Sequence, residues 1–180
     1  TVFHVVWGLV VGRTGGRADV VFGSVLAGRM QGMAGEGRAV GMFINTLPVR
    51  MDVGSVEVRA LVKRVHGELA ELLQYEQASL SQAQRCSGVG GVLFSALLNY
   101  RHSVVEEREI EDSGIEWLGS YVRTNYPLTL MVDDFGSEFG LTVQSDRRID
   151  ADRVLGYVRT ALGGVVGALE SASETGVSGL

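Results

Sequence analysis

The sequence predicts an α/β fold, in which a mixed sheet of about five or six strands forms one layer and helices cover one face of it (an α+β two-layer arrangement). Short β-branched runs bounded by glycine alternate with long amphipathic segments. Hydrophobic residues make up 46 % of the 180 residues and charged residues 21 %, which is typical of a folded domain with a sizeable core.

The first half of the chain predicts one helix and two strands around a glycine-rich loop. Apolar residues from Phe3 to Val10 recur at helical spacing and Gly12 ends the helix, which we interpret as one that begins upstream of Thr1. Five glycines among residues 28–41 indicate a bent loop. Pro48 cannot donate to a sheet ladder, so it predicts either an edge position for its strand or a bend in it.

The second half predicts two long helices and further strands. Ser55 is the predicted N-cap of a helix with an apolar stripe, and Asp150 caps the last helix. A short helical turn is predicted after Ser79, and the glycines of 88–91 break the chain before the next strand. The predicted strands are 19–26, 42–53, 92–98, 115–122, 128–133 and 139–145.

Composition excludes several classes of function. The net charge is −5, and no cluster of Lys and Arg exists that would replace phosphate counterions, so we expect no nucleic-acid partner. No apolar run is long enough to span a bilayer, so we expect no membrane partner. The single Cys86 excludes an internal disulfide and predicts a cytoplasmic location. We expect residues 1–170 to form the domain and residues 171–180 to be a flexible tail or linker.

Residue types that often carry chemistry do not converge in the sequence. His4, His66 and His102 lack the spacing of a metal site or of a base with its orienting partner, and are interpreted as structural or solvent-facing. We interpret Cys86 as an inert thiol and Asp133-Asp134 as a solvated turn. No metal and no directly bound cofactor are expected.

Two polar spots interrupt apolar strands, and these are the candidate site. Asn45 and Thr46 lie inside the second strand, and Asn99 and Arg101 follow a run of apolar residues. A buried amide requires hydrogen-bond partners. The asparagines either pin neighbouring loops through main-chain bonds or line a channel for a ligand with amide groups, and the sequence leaves both alternatives open.

At these residues the sequence resembles the condensation domains of nonribosomal peptide synthetases. Residues 41–50 match the family's G-x-F-x-N-T-x-x-x-R motif at every fixed position, and residues 85–94 resemble its R-x-x-S-x-x-P-L-F element loosely, with Val92 where proline is common. The family's H-H-x-x-x-D-G motif is absent. The resemblance therefore implies a C-terminal half, one of two chloramphenicol-acetyltransferase-like lobes, with the catalytic histidine outside this chain.

The resemblance also implies partners and roles. The N-terminal lobe of the same domain, peptidyl carrier proteins and adjacent synthetase domains are the expected partners, and substrates arrive on phosphopantetheine arms of the carriers. The implied site residues are Asn45, Thr46, Ser55, Asn99 and Arg101 on the substrate tunnel, with Gly28, Arg29 and Gly41 in a floor loop that bridges to the other lobe. Half of an epimerisation domain and a non-catalytic carrier-docking module are the alternatives.

Overall fold

The computed structural model describes residues 1–27, 42–102, 123–171 and 176–179. Within these ranges it contains five strands and four α-helices, so the predicted α/β fold is confirmed. The strand predicted at 115–122 lies outside the described residues, as does the glycine-rich loop 28–41.

The five strands form one mixed sheet in the order β2-β1-β3-β4-β5. Strands β1, β3 and β4 run parallel, whereas β2 and β5 pair antiparallel with β1 and β4. The edge position predicted from Pro48 is confirmed, because β2 ends the sheet. The strands are β1 (Asp19–Leu26), β2 (Asn45–Asp52), β3 (Ala96–His102), β4 (Leu128–Asp134) and β5 (Phe139–Ser145).

Three long helices pack against one face of this sheet and a short fourth helix contacts the edge strand β2. The predicted cap of the last helix is confirmed, since the Asp150 side chain accepts a hydrogen bond from the Arg153 backbone N–H. Ser79 caps the short helix in the same way through Gln82. The helices are α1 (Val2–Gly15), α2 (Val58–Leu73), α3 (Leu80–Ser87) and α4 (Ala151–Glu170).

The core lies between the sheet and these long helices. Trp7, Phe22, Leu61 and Leu130 are fully buried there, each from a different element. Most residues of α1 between Phe3 and Gly12 are buried, because this helix is packed between the sheet and its two neighbouring helices. We call the opposite side of the sheet the second face.

Several predicted boundaries are wrong. Helix α1 continues to Gly15 rather than ending at Gly12, and β3 continues to His102 rather than 98. Three elements also begin later than predicted, and contacts distant in sequence explain those starts. Helix α2 has Glu57 rather than Ser55 as its N-cap and begins at Val58, because Glu57 forms a β-bridge with Gly176 before the helix starts. Strand β3 begins at Ala96 rather than 92, because Phe94 folds onto the second face. Strand β2 begins at Asn45 rather than 42, opposite Leu26, where β1 ends.

Part of the predicted flexible tail is packed. Val177 is 2 % exposed, its backbone N–H donates to the Val56 carbonyl at 2.8 Å, and its own carbonyl accepts a bond from Arg13 at 2.7 Å. Residues 176–179 therefore differ from the predicted tail, because an apolar side chain here joins the core. None of the helices in the described ranges has the length and apolar character that crossing a membrane requires.

Candidate functional site

The second face brings together three of the five predicted tunnel residues. Thr46 is the register partner of Val25, and continuing the β1–β3 register places Asn99 beside Val25, two strand spacings or about 10 Å from Thr46. Arg101 lies two residues further along β3 on the same face. Thr46 and Asn99 are half-buried, and Asn99 makes no side-chain hydrogen bond within the described part of the chain. A hydroxyl, an amide and a guanidinium therefore line one end of this face.

Asn45 faces the other way and has a structural task. Its amide nitrogen donates to the carbonyls of Glu76 and Ala78, both at 2.7 Å, and its side-chain oxygen accepts from the Thr46 backbone N–H at 2.9 Å. Of the two alternatives left open by the sequence, the structure shows main-chain pinning for Asn45. Its contact with a substrate stays a prediction.

Ser55 is not part of this cluster. Ser55 is exposed beyond the far end of β2, about 25 Å along the strand from Asn45. It is not the cap of α2, so the free N–H groups of that helix begin two residues later than predicted. The floor-loop residues Gly28, Arg29 and Gly41 lie outside the described residues.

The carboxyl ends of β3 and β4 hold two cross-strand pairs that the sequence analysis missed. Arg101 binds its register partner Asp133 through two contacts, at 2.7 and 2.9 Å. On the helix side, Asp134 accepts hydrogen bonds from the Tyr100 hydroxyl at 2.5 Å and from His102 Nδ1 at 3.2 Å. The two aspartates are therefore not a solvated turn, since their side chains are only 17 % and 16 % exposed.

These contacts shift the ionisation of the helix-side group. The hydrogen bond from Tyr100, followed by that from the Gly136 backbone N–H, holds the pKa of Asp134 below its ordinary value. Desolvation and the Asp134 carboxylate raise the pKa of Tyr100 to about 12. His102 is thus oriented by a carboxylate, a geometry that a general base can use, although it lies on the side of the sheet away from Asn99.

The other two histidines have local partners. His66 Nδ1 is 3.1 Å from the Thr1 hydroxyl at the surface, and His4 Nε2 is 2.9 Å from the hydroxyl of the buried Ser24. Burial lowers the pKa of His4 to about 3. His4 is therefore a neutral packing residue at physiological pH.

This pKa predicts an acid-labile fold. Below pH 6.5 the unfolded chain protonates His4 and the folded chain does not until about pH 3, so stability falls as pH falls through that window. The limiting slope for this one group is about 1.4 kcal/mol per pH unit. Urea unfolding of the domain at pH 7 and pH 5 measures how the free energy of unfolding changes with pH. His4→Gln, which does not titrate, should flatten the dependence, and an unchanged slope in this variant would contradict the assignment.

The arginine of the G-x-F-x-N-T-x-x-x-R motif stabilises the edge of the sheet. Arg50 donates two hydrogen bonds to Asp19, both at 2.9 Å, across the β1–β2 pair. The hydrogen bond from Arg50 lowers the pKa of Asp19, and both side chains are largely exposed. The motif thus contains a strand-pairing contact as well as the loop-pinning Asn45.

Comparison with known proteins decides the family. The sequence profile described as "Condensation domain" matches residues 1–168. The chain belongs to the condensation-domain family. This condensation-domain chain is 49 % identical over 170 residues to malpinin synthetase and 45 % identical over 180 residues to malpibaldin synthetase, both of Mortierella alpina. The alignments cover 93 % and 98 % of the chain but only 2 % and 3 % of those synthetases.

Solved structures agree on the fold. The chain is similar to the condensation domain of the Monacolin K polyketide synthase, with a TM-score of 0.72 at 16 % identity, covering 98 % of this chain and 42 % of that one. It is also similar to a four-domain nonribosomal peptide synthetase bound to AMP and glycine, with a TM-score of 0.74 at 15 % identity, covering 99 % of this chain and 15 % of that one.

Proposed function

We propose that this chain is the C-terminal half of a condensation domain and forms one wall of the tunnel in which two carrier-bound substrates meet. The second face carries this proposal, because helices cover the other side of the sheet while Thr46, Asn99 and Arg101 are presented together here. The hydroxyl, amide and guanidinium groups of these three side chains suit the amide-rich arm of phosphopantetheine, because each can hydrogen-bond an amide.

The proposed reaction forms one amide bond. The acceptor amine attacks the carbonyl carbon of the donor thioester, the C–N bond forms, the C–S bond breaks, and the donor arm leaves as a thiol after the amine loses a proton. Asn99 carries both a donor and an acceptor, so it can bind either end of a pantetheine amide. Arg101 is held by Asp133, so it offers a fixed donor edge rather than a mobile cation.

The base is proposed to lie on the other lobe, which gives a direct test. We expect the isolated 180-residue chain to form no amide when it is mixed with loaded donor and acceptor carrier proteins, and the two-lobed domain to form it. Product is measured by mass spectrometry of the acceptor arm. Turnover by the isolated chain at the rate of the two-lobed domain would contradict the proposal.

His102 is the alternative candidate for the base within this chain. Replacing it distinguishes a base in this chain from a base on the other lobe. In the two-lobed domain, we expect His102→Ala to keep the rate of amide formation within about threefold of wild type, because its imidazole lies on the helix side of the sheet. Asn99→Ala is the comparison on the second face, where we expect a loss of about tenfold or more in kcat/KM. A loss of about a hundredfold or more in His102→Ala would move the base into this chain.

A further inference from the structure

An exposed aromatic side chain that has no part in the predicted site lies on the second face. Phe135 follows β4 in the turn 135–138 and is 47 % exposed. A Cβ built on Gly140 would lie 3.2 Å from Phe135 Cε2 and 3.4 Å from Asp133 Cβ, so the ring lies over Gly140 beside Asp133. Asp133 binds Arg101 on the second face. The Phe135 ring therefore extends the candidate site toward β5 with an apolar surface.

The turn holds the Phe135 ring in place. The Phe135 backbone N–H donates to the Glu138 carbonyl at 3.0 Å. The Asp134 side chain accepts a hydrogen bond from the Gly136 backbone N–H at 2.8 Å, and Gly136 has a φ of 86°, a left-handed conformation that glycine adopts readily. Because Gly140 has no side chain, the ring can lie directly on the strand. An aromatic ring fixed in this way loses little conformational entropy when a ligand packs on it.

Phe139, at the other end of the same turn, shows that exposure alone does not distinguish Phe135. Phe139 is 52 % exposed, and its ring packs on Phe3 of α1 with ring centroids 5.1 Å apart, so it lies on the helix side of the sheet. Single exposed apolar residues are common on protein surfaces. Phe135 differs from Phe139 because its ring lies next to the polar groups of the second face.

The spacing between Asn99 and the Phe135 ring suits an aminoacyl group on a pantetheine arm. Met131 is the register partner of Asn99, and Asp133, two residues further along β4, is the partner of Gly140. Two strand spacings and two residues therefore separate Asn99 from Gly140, a distance of about 12 Å. Five bonds join a pantetheine amide nitrogen to the Cα of the acyl group, which is less than two extended residues or about 7 Å, and a side chain of medium size adds about 4 Å. An arm whose amide binds Asn99 can therefore bring its aminoacyl side chain to Phe135.

We infer that Phe135 is a specificity-determining residue, which binds the apolar side chain of an aminoacyl group carried on a phosphopantetheine arm. The inference rests on the proposed function, which makes the second face a tunnel wall. An apolar side chain that covers the half-exposed ring is stabilised there, because both surfaces leave water. A polar or charged side chain would lose its hydrogen bonds with water at the ring, so substrates with such side chains are disfavoured.

The test measures kcat/KM of the two-lobed domain for amide formation with leucyl and alanyl probes on carrier proteins. Each probe is offered as donor against a glycyl acceptor and as acceptor against a glycyl donor, because both arms carry aminoacyl groups. In one of the two series we expect the wild-type domain to prefer leucyl over alanyl by about tenfold or more, and Phe135→Ala to reduce this preference to about threefold or less. Phe135→Leu keeps an apolar surface and should retain part of the preference.

Phe139→Ala is the matched control, because Phe139 flanks the same turn and is similarly exposed but lies on the helix side. It should leave the leucyl-to-alanyl ratio of kcat/KM within about twofold of wild type. The ratio is the readout because a loss of stability alone would lower both rates together. Thermal unfolding of each variant verifies that it folds.

The outcomes separate this inference from the proposed function. Equal leucyl-to-alanyl ratios in wild type and Phe135→Ala, in both series, would overturn the role of Phe135 and leave the proposed function intact. An equal fall of the ratio in Phe139→Ala would overturn it too, because the effect would then come from the shape of the turn rather than from contact with the ring. Failure of the wild-type two-lobed domain to form an amide with any probe would contradict the proposed function itself.

Discussion

Replacing Asn45 by aspartate is expected to lower the free energy of unfolding by about 3 kcal/mol. The Asn45 amide donates to the carbonyls of Glu76 and Ala78, and an aspartate at this position has no N–H to give. Both carbonyl oxygens would then face a negative oxygen in a half-buried setting. Urea unfolding of the domain measures the loss, and hydrogen exchange should locate it in the 74–79 loop.

Two comparisons make this expectation specific. Asn99→Asp is the matched control, because the Asn99 side chain bonds to nothing in the described residues, and it should cost less than about 1 kcal/mol. The cost of Asn45→Asp should also shrink in acid, since a protonated carboxyl regains one O–H donor. Equal costs for the two substitutions would contradict the loop-pinning role of Asn45.

Gly23→Ala is expected to destabilise the domain by about 3 kcal/mol through overpacking. A Cβ at this position would lie 2.3 Å from Phe94 Cε2 and 2.8 Å from Leu97 Cδ1, which is closer than carbon atoms can approach. Phe94 cannot simply move aside, because it stacks on Tyr126 and is buried. Thermal and urea unfolding measure the effect.

Gly67→Ala provides the matched control for this prediction. A Cβ at Gly67 meets nothing within 4 Å, and its position inside α2 should make alanine stabilising by up to about 1 kcal/mol. Phe94→Leu in the Gly23→Ala background should recover part of the stability, because the smaller side chain makes room for the methyl group. The overpacking argument is wrong if Gly23→Ala and Gly67→Ala shift stability by the same amount.

Both predictions concern residues that hold the second face in shape. Asn45 fixes the loop at one end of β2, and Gly23 lets Phe94 cover the middle of β1. Loss of either should therefore affect substrate binding as well as stability if the second face is a tunnel wall. Variants that remain folded would then show a higher KM before they show a lower kcat.

The residues of the candidate site could be chosen from the sequence, but their arrangement could not. The polar interruptions of apolar strands pointed to Asn45, Thr46, Asn99 and Arg101 because a buried amide requires a partner. The structure places Asn45 on the helix side and the other three on the second face. Alternation along a strand separates neighbours such as Asn45 and Thr46, but it does not say which of the two faces the helices.

Much of the fold could be predicted from the local properties of short segments. The bounds of β1 and β5, the edge position of Pro48 and the cap at Asp150 were predicted from the sequence and are confirmed. Each depends on a property of a short segment: β-branched alternation, a missing backbone donor, or a side chain that accepts from the first turn of a helix. The G-x-F-x-N-T-x-x-x-R motif likewise identified the family from ten consecutive residues.

Only the tertiary structure decided which distant segments meet. The pairing of β3 with β4 joins Tyr100 to Asp134 across 34 residues, and the β-bridge of Gly176 with Glu57 delays the start of α2. Strand order and register follow from how all the apolar faces are buried at once, and that is a property of the whole core rather than of any segment. The chemistry of short segments was therefore enough to predict most helices and strands and the family. The arrangement of the candidate site depends on which distant segments are buried together.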